Sequence, residues 1–274
     1  MIRKLLLIFT CVVVLNGDNL NDKIIHLIGK NKFIENKGLI NYLFSKQNNY
    51  YDVKGDIKYI GLLNKLQENG LLNLIFSKPQ DLTITFNISH DPIKSLKIIS
   101  DSLKSLGYYH YFTKKLIYKQ EGNLQWTIKL KTEAAIDPLM LSKEFKKHNT
   151  KPTDIIKEGQ VTWVYNIDTS LSRFNDAKSL VSGEKIDLKK PLRPYFLKVS
   201  SANKILINSK YGNRWFPHIV FYDRHLTIIE VIKKEQRHQK LEVEVPQYTR
   251  YMKIDDLFTL ANIKRGLSVT IKEN

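Results

Sequence analysis

Thiol chemistry is almost missing from this chain: its 274 residues include a single cysteine, Cys11. That excludes a disulfide framework. With Cys11 inside a cleavable leader, the mature chain also has no thiolate nucleophile and no Cys-based metal site. Long hydrophobic runs are lacking too. Past residue 17 no apolar stretch exceeds about ten residues, well short of the roughly 20 that a spanning helix needs. Catalytic signatures are equally sparse. No Gly-x-Ser-x-Gly pentapeptide is present, which removes the nucleophile elbow of α/β hydrolases, and no His-Glu-x-x-His, which removes the zincin site. Ser182 to Lys185 and Ser201 to Lys204 match Ser-x-x-Lys, but neither falls in an expected helix, and the companion Lys-Thr-Gly is broken because Glu133 follows Lys131-Thr132. The chain is expected to have no catalytic residue, no cofactor and no metal.

What is present begins with an export pattern. Arg3 and Lys4 precede an apolar run at 5–15, and Gly17 stands before Asp18-Asn19, so residues 1–17 read as a signal peptide. The rival is an uncleaved anchor, for which an eleven-residue run is too short. Leu15, three residues before the expected cut, is bulkier than usual and leaves the cleavage site open. Ile8-Phe9-Thr10 ahead of Cys11 does not provide the small residues of a lipoprotein site. After cleavage no transmembrane span is expected.

The formal charge is +17, and removal of Arg3 and Lys4 leaves +15. The excess is uneven: residues 18–80 carry +3, 81–170 carry +3 and 171–274 carry +9, with every arginine other than Arg3 in the last segment. A basic protein suggests nucleic acid. Here the excess is mostly lysine, as an AT-rich genome would produce, and export points away from nucleic acid toward an anionic envelope polymer, a lipid head group or an acidic partner. Arginine forks suit carboxylates and phosphates, so the last segment is a candidate recognition surface; the alternative is a solvated basic face.

The expected fold class is α+β. Helical spacing of Ile24, Leu27, Ile40, Leu43, Ile60, Leu63 and Leu66 predicts two or three short helices, closed by Gly70. Residues 71–76 and 82–88 read as strands of a hairpin around the turn-like 77–81, which places a helical segment with a hairpin strand at 18–80. Asp91-Pro92 and Asp137-Pro138 each supply an N-cap and a first-turn proline for a helix. Around them, period-two patterns at 108–112, 124–130 and 161–167 read as strands. The resulting order β, α, β, β, α, β has an internal repeat offset by about 45 residues, as expected for two similar halves sharing one sheet. A ferredoxin-like domain is expected at 81–168. A polar stretch at 169–193 reads as a linker, and seven short strands between 195 and 271 predict an all-β sandwich at 194–274.

On this element order the middle third resembles the small periplasmic modules of secretins and of POTRA-containing assembly proteins. The C-terminal strands resemble the jelly-roll sandwiches of carbohydrate-binding and galactose-binding-like modules. The segments Leu27-Ile28-Gly29, 66–71 and 103–112 also look like periplasmic proteins of the Campylobacter and Helicobacter lineage. That resemblance implies a role beside an envelope machine such as the flagellar motor.

Three clusters are candidate sites. His218, Asp223 and His225 are the tightest group of metal-ligand types, but a hairpin turn at Asp223-Arg224-His225 accounts for them. Glu242 and Glu244, or Asp255 and Asp256, have the residue types of a carboxylate pair, although the former alternate like the solvent side of a strand. The third is Asn213, Arg214, Trp215 and Phe216, bounded by Gly212 and Pro217. There, rings could stack on a sugar while Asn and Arg bind hydroxyls or a carboxylate; the alternative is that Trp215 or Phe216 plugs a core. The expected function is an exported periplasmic scaffold or adaptor without turnover, partnered by an envelope protein complex. The alternative is a module that binds peptidoglycan or another glycan through the basic C-terminal unit.

Overall fold

A computed structural model describes residues 19–118, 122–174, 177–181, 183–199 and 202–272. The expected signal peptide lies outside the described residues, as do Ser182 and Ser201. Among the described residues no helix is long and apolar enough to cross a membrane. The chain is mixed α+β, with six α-helices and three β-sheets among the described residues.

The first turns of chain make four helices where two or three are expected: α1 (Leu20–Ile28), α2 (Lys30–Glu35), α3 (Lys37–Leu43) and α4 (Tyr59–Glu68). Asn19 caps α1 by accepting from the Asn21 amide. Leu20, Ile24 and Leu27 of α1 and Leu62, Leu63 and Leu66 of α4 are fully buried. α2 and α3 bury only Ile40 between them, so the periodic signal separating them is weak.

The first sheet contains β1 (Ile75–Ile88), β2 (Phe112–Tyr118), β3 (Leu124–Ala134), β4 (Lys151–Lys157) and β5 (Thr162–Asp168), ordered β2-β3-β1-β5-β4. Helices α5 (Pro92–Ser105) and α6 (Pro138–Lys147) connect its strands. Alternation places Leu82, Ile84 and Phe86 of β1 beside Leu124, Trp126 and Ile128 of β3 in one core with Ile99, Leu103, Leu139 and Phe145 of the helices. The opposite row is polar and self-satisfied: Thr85 bonds Thr127, Asn87 donates to Asn166, and Gln125 donates to Asn87.

Three local expectations change. The hairpin read into 71–88 is one strand; residues 76–79, with Pro79, bulge out of the ladder between the pairs Ile75↔Ala134 and Gln80↔Thr132. One strand was expected after α6, and there are two. β4 carries Pro152 and lies at the sheet edge, where a missing N–H is tolerated. β5 sits beside β1 and parallel to it. Asp137 caps α6 through the Leu139 and Met140 amides, as expected. Asp91 does not cap α5: it lies at φ +46° and spends its carboxylate elsewhere.

Asp154 of β4 ties the helical segment to this sheet. It accepts from the Tyr59 hydroxyl at 2.9 Å and His26 Nδ1 at 3.3 Å, and its other oxygen lies 3.2 Å from Lys23 Nζ. Burial pushes its carboxyl up, but the Tyr59 bond, the His26 bond and the Lys23 charge outweigh that and hold it below the ordinary value of 3.8. A folded-state value depressed in this way stabilises the fold above the ordinary value, and that stabilisation is lost as pH falls through the lowered one. Between about pH 5 and pH 2, the urea midpoint of the wild type is expected to fall more steeply than that of Asp154→Asn. Parallel curves would show that Asp154 contributes nothing to acid unfolding.

The C-terminal unit holds β6 (Lys178–Ser179), β7 (Lys185–Leu188), β8 (Tyr195–Lys198), β9 (Lys204–Ser209), β10 (Pro217–Tyr222), β11 (Ile228–Lys233), β12 (Lys240–Glu244), β13 (Tyr251–Asp256) and β14 (Leu267–Lys272). One sheet runs β11-β10-β13-β8-β6 and the other β12-β9-β14-β7. Ile186, Ile205, Ile207 and Val269 of the second sheet share a core with Ile219, Phe221, Met252 and Ile254 of the first. β6 and β7 fall within the polar stretch read as a linker.

The two halves of the molecule meet over α5. Ile98 packs with Phe174, Leu226 and Tyr251, backed by Phe196 and Tyr222. Beside this cluster, Asp91 accepts from Lys94 Nζ and lies 2.5 Å from His225 Nδ1, so its carboxylate bridges the junction. Burial raises the Asp91 carboxyl, and the Lys94 and His225 bonds more than reverse it, leaving it below its ordinary value.

Candidate functional site

The 211–217 loop was the leading candidate site, and its side chains point mostly inward. Asn213 is 1% exposed. Its Oδ1 accepts from the Arg265 amide at 3.0 Å and its Nδ2 donates to Gly266 O at 2.7 Å. Trp215 is fully buried, and its indole N–H donates to Asp255 O at 2.9 Å. Phe216 is half-buried, edge-on to Phe258 at 5.0 Å. Its amide donates to Asp256 Oδ2 at 2.8 Å. Only Arg214 of the four is exposed, with its backbone N–H held by Asn262 O.

The cluster is therefore a staple between the β9–β10 loop and the turn after β13. Asp256 anchors it, accepting also from the Phe258 and Thr259 amides and from Asn262 Nδ2. Trp215 has no free face for a sugar, and Asn213 has no free amide. The stacking role assigned to this loop is corrected by that burial. Asp256 was missed as the organising residue because its partners lie up to 40 positions away, where no local pattern points.

The other candidates also resolve into structure. Asp223 Oδ1 accepts from the His225 and Thr227 amides at 2.8 Å each, and Leu226 sits at φ +64°, which completes the hairpin turn between β10 and β11. His225 then turns to Asp91, away from His218. Burial and the nearby Lys253 charge lower His218, with Asp255 acting in the opposite sense. Among the described residues, no group of three or more His, Cys, Asp or Glu is placed to hold a metal. Glu242 pairs with Lys272 at 2.7 Å and Glu244 lies 3.8 Å from Lys204, both on the outer side of β12.

An open surface that the sequence does not reveal is the outer edge of β2. Among the described residues this strand pairs with β3 alone and ends the sheet. Phe112 is 81% exposed, Tyr118 67% and Leu116 53%, while Lys114 and Lys115 flank them. A register shift between Thr113 and Lys115 bends the strand, and Trp126 Nε1 donates to Thr113 Oγ1 at 3.1 Å, fixing it to β3. Backbone donors and acceptors along that edge are a template for another strand, and the lysines are the usual deterrent to indiscriminate pairing. The alternating aromatics at 108–112 predict a strand there, whereas β2 begins only at Phe112, and no local pattern shows that no described residue covers its outer edge.

No family model matches the chain, and neither a curated protein nor a solved structure matches it.

Proposed function

We propose that the chain is an exported scaffold or adaptor of a cell-envelope assembly, without turnover of its own, and that a partner strand docks on the outer edge of β2. The observation that carries this reading is the edge itself, uncovered among the described residues: exposed Phe112, Leu116 and Tyr118 beside lysines, on a strand with one described neighbour. Added strands bind through main-chain hydrogen bonds and gain specificity from alternate side chains. The matching partner segment is extended, apolar at every second position, and acidic. Export is supported by the leader pattern of residues 1–17.

Two finer readings of the fold accompany the proposal. The order β2-β3-β1, with β1 and β3 antiparallel and a helix after each, supports reading it as the split βαβ core of a ferredoxin-like sheet. β5 would be a strand inserted between β1 and the last crossover strand. In the C-terminal unit, the facing orders β12-β9-β14-β7 and β11-β10-β13-β8 follow the two Greek keys of an eight-stranded jelly roll. Such modules serve as rigid spacers as readily as they serve as binding domains.

The test is in-cell cross-linking of a tagged chain, with mass spectrometry of what stays attached after the cell wall is digested. The wild type is expected to retain a stoichiometric protein set, and Phe112→Asp/Tyr118→Asp to lose it. Both positions are exposed, so the double variant should keep its stability to within roughly 0.5 kcal/mol per site. Undiminished recovery by the variant would move docking away from β2. Muropeptides with no protein would replace the adaptor by a wall-binding protein.

A further inference from the structure

A cleft of about 800 Å³ opens where α5 meets the C-terminal unit. Its floor is aromatic, built from Phe174, Phe196, Tyr195 and Tyr222, and its rim is basic. Lys104 comes from the last turn of α5, Lys178 from β6, and Lys189, Lys190 and Arg193 from the loop between β7 and β8. Among the described residues, none of these five side chains has an acidic partner.

The two acids in the cleft are already occupied. Asp101 is paired with Lys97, whose ammonium also sits 5.2 Å over the Phe174 ring, and Asp187 lies 3.5 Å from Lys210. Lys253, the remaining cation of the lining, is 4.0 Å from Asp255. Gathering unpaired like charges around one cavity costs folding free energy, and an anion that binds there reverses the cost. The basic loop is also stiffened in place. It contains Pro191 and Pro194, Pro191 is buried, and the Tyr195 hydroxyl donates to Lys189 O at 2.5 Å. Three of the five cations are thereby preorganised.

The cleft has a continuation. A second cavity, of about 500 Å³, shares Asp101, Lys104 and Arg193 with it and extends past Tyr109 to His148 at the end of α6. Beyond the shared groups it adds Lys147, which is paired with Glu144 of the same lining, so the uncompensated charge stays in the main cleft; there five cations from three segments line about 800 Å³, which fits a chain bearing repeated charges better than a compact anion. Pro191 and Pro194 lack the N–H that an added strand would use at those two positions of the loop, which disfavours an extended peptide along it. Ring faces on the floor instead suit the apolar faces of sugars, while Arg193 can present a fork to a carboxylate.

We infer that this interdomain cleft binds an acidic oligosaccharide, with Lys104, Lys178, Lys189, Lys190 and Arg193 on its charges and Phe196 and Tyr222 beneath its rings. The inference rests neither on the β2 edge nor on the 213–216 loop. Isothermal titration calorimetry of the full chain would use trigalacturonate, maltotriose and hexaglutamate as probes. Trigalacturonate is expected to bind, with affinity falling as salt rises, and maltotriose to show no heat. Lys190→Glu/Arg193→Glu, at two exposed positions, should weaken trigalacturonate at least about tenfold. The Phe112→Asp/Tyr118→Asp variant should bind it like the wild type, which keeps this inference separable from the adaptor reading. Absence of trigalacturonate binding, or binding indifferent to the charge reversal, would overturn the proposal. Hexaglutamate binding as tightly as trigalacturonate would overturn it in favour of an acidic peptide.

Discussion

Trp215→Ala is expected to cost the C-terminal unit about 3–5 kcal/mol, the range for deleting a large aromatic ring from a packed core. The indole is fully buried, shares a core with Ile207, Ile219 and Ile254, and donates to Asp255 O. Truncation therefore opens a cavity and leaves a carbonyl without its donor. Domains of this size are stabilised by about 5–15 kcal/mol in total. The variant should then show a much lower urea midpoint for the β signal, while the first sheet, which has its own core around Trp126 and Trp163, unfolds near its wild-type midpoint. A ligand-stacking tryptophan would behave in the opposite way, with binding lost and the midpoint kept. A shift below about 1 kcal/mol would show that the ring is not core.

Gly266→Ala is expected to be comparably damaging for a different reason. Gly266 precedes β14 at φ +89°, and a Cβ there would stand 2.0 Å from Leu188 O. Its own carbonyl accepts from Asn213 Nδ2, so the backbone cannot shift away without loosening the staple. The left-handed conformation alone costs a side chain about 1–2 kcal/mol, and relieving the clash means parting β14 from β7 at the Leu267↔Leu188 pair. We expect a total of about 3–5 kcal/mol. Gly107→Ala is the control, since Gly107 has φ +92° with nothing within 4 Å of where a Cβ would sit. It should cost only the conformational part. Equal midpoint losses for the two variants, in denaturant unfolding followed by circular dichroism, would mean that the Leu188 carbonyl yields freely.

How much of this architecture the amino acids announce depends on how far each signal reaches. Asp137-Pro138 declares the start of α6 because its cap bonds lie within three residues. Asp91-Pro92 looks the same in sequence, yet His225, 134 positions away, claims the carboxylate. The strands from 195 to 271 alternate clearly, since each buries one row against the other sheet. β7 has only Ile186 and Leu188 to bury, and its partner β14 is some 80 positions on, so no pattern within the polar 169–193 stretch reveals it. Pro79 and Pro152 read as breaks, and both are absorbed, one in a bulge and one on an edge strand. The 213–216 cluster was legible as a group and misread in purpose. Aromatics flanked by Gly and Pro look alike whether they face solvent or plug a core, and the deciding contact, Asp256, comes from a distant turn. The cleft over α5 was not legible at all, because its cations come from three separated segments.

The pairing of β7 with β14 places the start of β7 beside the end of β14: Lys185 faces Thr270 across the ladder. Neighbouring strand ends need only a short connector to bridge them. The double-sheet unit is thus portable. The eight strands from β7 to β14 can be spliced into a surface loop of another protein, or their order rotated by joining 272 to 185 and opening a hairpin elsewhere, with only the short β6 lost from beside β8.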